Sequence, residues 1–471
     1  MVYERELSEY REGILYIRVK DPRFAMSPIA DAFHNFPSRR MVIIGVTGTE
    51  GKSTTVYLIY QLLKLLGKKA GFISTVQQGD GISEKWNSEH QTTPEAVTVH
   101  RLLDEMCSNG AEFAVLEASS HGLSKKTNRL GDVDFDVGVV TNVTHEHLEF
   151  HGSWEQYRSD KAELFRSLES SPSLHIKLGP AKEFSLPSFG VMNADDPSAD
   201  FFAAATKHRT YTFSTRGAEA DLALKLIESG TGGNWYEVLV ESTKSTLTLR
   251  DKLPGAFNAG NVLAALLVVS NLLSLRIEDL VPLVPHLKPV RGRMTAIQRG
   301  QPFEVLVDYA NTPSSFQAVF PPLREQLNAS GGHRTGARLI SVFGSAGERD
   351  TQKRPLQGEI AARYSDIVVL TDEDPRGEDP MTILEEIAPG CETNQGCETS
   401  AGPLIRNETL FLIPNRPQAI RKAFSLAREG DLVLLLGKGH ENSIIYAAGT
   451  IAYDEITEAE KALEEAGFTK Q

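Results

Sequence analysis

Gly45-Val46-Thr47-Gly48-Thr49-Glu50-Gly51-Lys52-Ser53 is the stretch that decides the fold. It leaves an apolar run, residues 41–46, that reads as a buried strand. It opens a helix expected from about residue 52 to 66. Glycines let backbone N–H groups come close to phosphate oxygens, and the helix N-terminus adds a positive partial charge. Lys52 suits the β- and γ-phosphates of a nucleotide, and Ser53 suits a magnesium ion. The spacing departs from the usual G-x-x-x-x-G-K-[ST], because Gly45 lies one residue too far from Gly51. A structural glycine turn before a helix is the plain alternative.

Working outward, residues 113–116 and 137–140 are further apolar runs. Each reads as a parallel strand with chemistry at its C-terminal end. Glu117 closes the first, where a carboxylate needs a partner, and magnesium is the natural one. The second runs into Thr141-Asn142-Val143-Thr144-His145-Glu146-His147. H-x-H alone fits a zinc pair or two surface polars; an oxygen-rich site beside a nucleotide loop favours magnesium. Alternation over 235–249 predicts antiparallel strands, and 255–272 a turn and a helix. From about Val290 the pattern restarts. Strand-like runs at 305–307, 339–343, 367–370, 410–413 and 432–436 alternate with helical stretches, a second doubly wound α/β unit. Residues 390–403 read as a surface loop.

The 471 residues exceed one hydrophobic core and predict two or three domains. With 41% hydrophobic and 24% charged residues the chain is ordinary for a globular protein. A net charge of -13 speaks against a nucleic-acid surface but leaves anionic small molecules open as substrates. Cys107, Cys391 and Cys397 are few and odd in number, which fits a reducing cytoplasm. The first residues lack the apolar core of a signal peptide. No run of about eighteen apolar residues would span a membrane. The expectation is a cytoplasmic monomer.

An ordered series of motifs says more. It comprises T-G-T-E-G-K-S at 47–53, T-T-P at 92–94, L-E-A-S-S-H-G-L at 116–123 and T-N-V-T-H-E-H-L-E-F-H-G at 141–152. M-N-A-D-D at 192–196, L-P-G-A-F-N-A-G-N at 253–261, G-R-M at 292–294 and D-Y-A-N-T-P at 308–313 follow. The series ends with F-G-S-A-G-E-R-D at 343–350, K-R-P at 353–355, E-D-P-R at 373–376 and G-K-G-H-E at 437–441. Together they resemble the Mur ligases, nearest to those that add the third amino acid to UDP-MurNAc-L-Ala-D-Glu. The resemblance implies a central P-loop ATPase-like doubly wound sheet over 41–289 and a C-terminal Rossmann-like α/β domain over 290–471. Residues 1–40 would be a short remnant of the uridine-binding domain.

The resemblance also implies roles. Gly48, Thr49, Glu50, Gly51, Lys52 and Ser53 would hold the ATP phosphates. Glu117 and His147 would ligate Mg2+, with Ser53 and Thr93 close to the ion. Lys161 matches the lysine that family members carbamylate, which helps to position a second Mg2+; without the resemblance it reads as a solvated helix residue. Asn258 and Asn261 fit adenine, and Arg293, Asp308 and Asn311 fit ribose and phosphate across a domain cleft. Thr92, Thr93, Ser119 and Ser120 look like contacts to the UDP-sugar dipeptide. Lys125 or Arg129 would stand in for a Q-x-R pattern that 124–129 does not keep. Arg349, Asp374, Arg376, Gly437 and Glu441 match contacts to the incoming amino acid.

The implied chemistry is attack of a substrate carboxylate on the γ-phosphate of ATP, followed by aminolysis of the acyl-phosphate. Closure of the C-terminal domain would exclude water. Arg376 favours meso-diaminopimelate, because it can pair with the distal carboxylate. Asp374 stands where the diaminopimelate pattern D-N-P-R has Asn, and an extra carboxylate would suit the terminal ammonium of lysine or ornithine. A helix-start ion pair with Glu378 or Asp379 is the structural alternative for Arg376. Two other functions stay open: a folylpolyglutamate or cyanophycin-type ligase of the same fold, and a weakly active binding protein. Asn311 replaces the usual His, and Ser345-Ala346-Gly347 replaces a more glycine-rich turn.

Overall fold

The computed structural model describes residues 1–87, 91–144, 148–170, 188–230, 233–329, 336–392 and 404–469. The chain divides into two compact units. Residues 1–228, 235–251 and 257–288 form the first, and 229–234, 252–256 and 289–471 the second.

Among the described residues, the first unit is built on an eleven-stranded sheet. Its centre is Val42–Thr47, six buried residues. Phe113–Glu117 pairs with it in parallel on one side and Val137–Val140 on the other. The register sets Val46 opposite Glu117 and Thr47 opposite Val140. Three strands therefore finish side by side, at the point where the chain order reverses direction across the sheet. That is where open α/β sheets bind ligands. Ala70–Ile73 extends the sheet beyond Phe113–Glu117. Phe189–Asn193 and Arg209–Ser214 extend it, in parallel, beyond Val137–Val140. The sequence reading did not foresee these three strands. The antiparallel pair it did expect is Gly233–Val240 with Ser245–Arg250, whose first strand alternates between buried and half-buried residues.

Helix Lys52–Leu65 packs against Asn258–Leu273. The latter buries fourteen of its sixteen residues, as an all-round apolar helix must. Residues 1–40 belong to this unit and form the helix Pro22–Phe33 and two short parallel strands, Val2–Tyr3 and Ile17–Arg18. Asp21 caps the helix by accepting from the amides of Arg23 and Phe24.

The second unit carries a sheet in the order Thr295–Ala296, Glu304–Asp308, Leu432–Leu436, Leu339–Phe343, Ile367–Leu370, Leu410–Leu412. All pairs are parallel except the first. Alternate residues face opposite cores. Leu339, Val368 and Leu434 pack with helices Pro313–Ala329, Lys353–Tyr364 and Pro380–Cys391. Ile340, Val369 and Val433 pack with Arg416–Leu426 and Glu455–Glu465. Helices on both faces make this unit doubly wound. Gly390 and Cys391 close a helix rather than opening the expected loop, and residues 393–403 lie outside the described residues. No single helix among the described residues is long and apolar enough to cross a membrane.

Candidate functional site

In the first unit the phosphate loop is held in place by its own chain. Gly48 has φ +148°, and a Cβ there would lie 2.0 Å from Thr141 Oγ1, so only glycine fits. Gly51, at φ 83°, begins helix Lys52–Leu65. The residues after Val137–Val140 clamp the loop. Thr49 N donates to Asn142 O at 2.8 Å, Glu50 N donates to Asn142 Oδ1 at 3.0 Å, and Thr141 Oγ1 donates to Glu50 O at 2.6 Å. Lys52 Nζ donates to Thr49 O at 2.7 Å.

Ser53 Oγ donates to Glu117 Oε2 at 2.8 Å, and Thr75 N donates to the same oxygen at 2.8 Å. Thr93 Oγ1 donates to Glu117 O and lies 2.9 Å from Ser119 Oγ. Arg129 holds this turn by donating to Thr93 O at 2.9 Å and to Glu95. Thr92 is half-buried beside it in sequence. Buried Ser53, Thr93 and Glu117, with half-buried Ser119, are thus one all-oxygen cluster at the loop's mouth. Lys125 is not drawn in: its side chain is 77% exposed and its ammonium lies 3.5 Å from Glu163.

Lys161 is 1% exposed, which corrects its reading as a solvated helix residue. Its Nζ donates to Gly48 O at 2.6 Å and lies over the Tyr157 ring. Tyr157 OH in turn lies 3.0 Å from Thr49 Oγ1. Asn261 accepts from Thr55 Oγ1 at 3.1 Å and donates to Asn258 Oδ1 at 2.8 Å, so both asparagines are tied to the helix that follows the loop. His147 lies outside the described residues.

A relay that sequence reasoning missed supports this region. His151 Nδ1 lies 2.7 Å from Asp160 Oδ2, and its Nε2 lies 3.0 Å from Ser120 Oγ, with all three residues buried. It ties Ser120 to the helix that carries Lys161. The only signal was the His of H-G at 151–152.

In the second unit Asp308 ends a strand and accepts from the amides of Met294 and Ala310 at 2.8 Å each. Burial pushes its carboxyl pKa up, against the pull of Arg293. The Arg293 guanidinium lies over the Tyr309 ring, and Tyr309 OH donates to Glu441 Oε1 at 3.3 Å. Gly437, at φ +100°, brings the backbone against Glu373. Lys438 Nζ donates to Asp374 Oδ1 at 2.9 Å and to Glu441 Oε2 at 2.5 Å. Burial works against the lysine's charge, yet Glu441 and Asp374 carry its pKa above the ordinary value.

Arg376 pairs with neither Glu378 nor Asp379. Glu378 is held by Arg354, and Asp379 caps the next helix by accepting from Thr382 N. The Arg376 guanidinium has no hydrogen-bond or ion-pair partner among the described residues. Arg349 is exposed, also without an ion pair there. Glu373, quoted in its motif but given no role, is 5% exposed. Asn311 Nδ2 donates to its Oε1 at 3.4 Å, while its Oε2 has no partner among the described residues. Burial raises its pKa, opposed by Lys353 and Lys438. The rule that singled out Glu117, an acid just beyond an apolar strand, would have found it too.

Hard oxygen donors grouped with a phosphate loop fit magnesium. No group of three His, Cys, Asp or Glu forms a metal cage among the described residues.

The comparisons with known proteins define the class. The Mur ligase middle domain matches residues 46–269, and the Mur ligase, glutamate ligase domain matches 292–439. The chain belongs to the Mur ligase family of ATP-dependent ligases. It is 49% identical over 469 residues to a UDP-N-acetylmuramyl-tripeptide synthetase of Treponema denticola, covering 98% of this chain and 84% of that protein. It is 35% identical to a UDP-N-acetylmuramoyl-L-alanyl-D-glutamate--2,6-diaminopimelate ligase of Geobacillus thermodenitrificans, covering 99% and 87%. A solved structure of a ligase with that same description superposes with a TM-score of 0.62 at 27% identity, covering 98% and 86%.

Proposed function

We propose that the chain joins a diamino acid to a carboxylate of UDP-MurNAc-L-Ala-D-Glu, using ATP, in the synthesis of peptidoglycan precursors. The amino acid favoured is meso-diaminopimelate, with lysine and ornithine as competitors. Relatives named for the tripeptide and for the diaminopimelate reaction support the first part. The observation that carries the second is the guanidinium of Arg376, which no carboxylate of the described residues neutralises. A bidentate partner from the substrate suits it.

Lys52 exchanges the Thr49 carbonyl for phosphate oxygens, and the loop amides line the same anion. Ser53, Thr93 and Glu117, with His147, are the residues that would hold Mg2+, which when bound offsets the charge of the phosphates. Ser119, Ser120 and Arg129 orient the donor so that its carboxylate meets the γ-phosphorus in line. The carboxylate oxygen bonds to phosphorus as the bond to the β-phosphate bridge breaks, giving acyl-phosphate and ADP. The amine must arrive uncharged; Glu373, whose Oε2 has no partner among the described residues, would bind its ammonium form and take the proton. Attack on the acyl carbon then forms the amide and releases phosphate.

The test is phosphate release from ATP with UDP-MurNAc-L-Ala-D-Glu and each of the three diamino acids. Release should require donor and amino acid together and be fastest with meso-diaminopimelate. Release indifferent to the donor, or faster with lysine or ornithine, would overturn the corresponding part.

A further inference from the structure

Asp374 adds a carboxylate where the diaminopimelate pattern has an amide. A free carboxylate there would attract the terminal ammonium of lysine or ornithine. In the structure it is not free. Its Oδ1 accepts from Lys438 Nζ at 2.9 Å and from Ile445 N at 3.0 Å. The lysine side chain is 0% exposed and the Asp374 side chain 12%. Asp374 Oδ2 has no partner among the described residues, so a substrate ammonium that approaches it meets a charge Lys438 already offsets. The Lys438 ammonium also serves Glu441, one of the residues matched to the incoming amino acid. One buried cation is therefore divided between two carboxylates.

We infer that Lys438 is a positioning residue that sets which head group the site accepts, because Asp374 engages its charge internally. This rests on the ligase reading above. With an amide at 374, Lys438 would face Glu441 alone. The site would gain one unit of positive charge, and a substrate carrying a second carboxylate would gain relative to one carrying only an ammonium. Asp374 thus acts on the substrate through Lys438 and not by contact.

The experiment compares kcat and KM for meso-diaminopimelate, lysine and ornithine in four proteins: wild type, Asp374→Asn, Lys438→Met and the double variant. Asp374→Asn should raise the diaminopimelate-to-lysine ratio of kcat/KM by about tenfold or more, through the KM values of the amino acids, with the KM for ATP unchanged. In the Lys438→Met background, where Asp374 has no internal cation, the ratio should fall below that of wild type, and Asp374→Asn should bring it back up. Asp374→Asn is nearly isosteric and tests the idea alone if Lys438→Met fails to fold. An unmoved ratio in Asp374→Asn, or a Lys438→Met protein that keeps the wild-type ratio, would overturn the inference and leave the ligase reading standing. A wild-type protein that ligates none of the three amino acids would overturn both.

Discussion

Ser53, in the first turn of helix Lys52–Leu65, and Glu117, at the end of strand Phe113–Glu117, lie 64 positions apart and share a 2.8 Å hydrogen bond with both side chains buried. Neither has that partner by chance of local sequence. The register between Val42–Thr47 and Phe113–Glu117 brings them level. Among the described residues a hydroxyl and one amide hold this buried carboxylate, which keeps acceptor capacity for a cation.

Glu117→Gln keeps the shape and both hydrogen-bond acceptors on one oxygen but removes the charge. Ligation should fall about 100-fold or more, in the range lost when a charge-stabilising group leaves a closed site. Calorimetric titration with Mg2+ and a non-hydrolysable ATP analogue checks the cause. Nucleotide affinity that no longer responds to Mg2+ is expected; an unchanged response would remove Glu117 from the ion.

Lys161 sits under the loop with Nζ 2.6 Å from Gly48 O. Carbamylation joins the neutral amine to carbon dioxide and releases a proton, replacing that cation with an anion. Lys161→Ala should abolish ligation, and millimolar short carboxylic acids should restore part of it. Full activity of the alanine variant, or no rescue by any acid, would rule out the carbamate.

Arg376 faces no carboxylate of its own among the described residues. Arg376→Ala should cost about 2–5 kcal/mol of transition-state binding with diaminopimelate, as for a buried charge-pair contact. Lysine should lose far less. Steady-state kinetics with both amino acids decide it, and equal losses would make Arg376 structural.

Burial pushes the Asp372 carboxyl from 3.8 up to about 6, against the Tyr446 hydroxyl and Arg416. The fold therefore favours the protonated form. Its stabilising contribution is full below pH 3.8 and is lost as pH rises through 6. Asp372→Asn does not titrate and can still accept from Tyr446. The melting temperature of the variant minus that of wild type should increase between pH 4 and pH 7. A constant difference would mean that Asp372 ionises as readily in the folded chain as in the unfolded one.

The sequence made the centre of both sheets legible, because buried parallel strands such as Val42–Thr47 and Leu432–Leu436 are uninterrupted apolar runs. Arg209–Ser214 was not legible: Thr210, Tyr211 and Thr212 are half-buried in succession, and pairing with Phe189–Asn193 and Leu222–Gly230 makes it a strand. The candidate site divides in the same way. Lys52, Ser53 and Glu117 follow from local rules about loops and strand ends. Asp374 with Lys438, His151 with Ser120, and the burial of Lys161 are long-range facts of packing. Spacing along the chain carries no trace of them.

The lysine of the phosphate loop has a further consequence. Its ammonium rests on the carbonyl of Thr49, three residues back, and the Thr49 and Glu50 amides are already tied to Asn142. The loop's polar groups are thus satisfied by its own chain. Nucleotide arrival exchanges a neutral acceptor for an anionic one without ordering a segment first. Amide hydrogens at 49 and 50 should then exchange slowly with deuterium even without ATP, and association should proceed at a rate set by diffusion and charge.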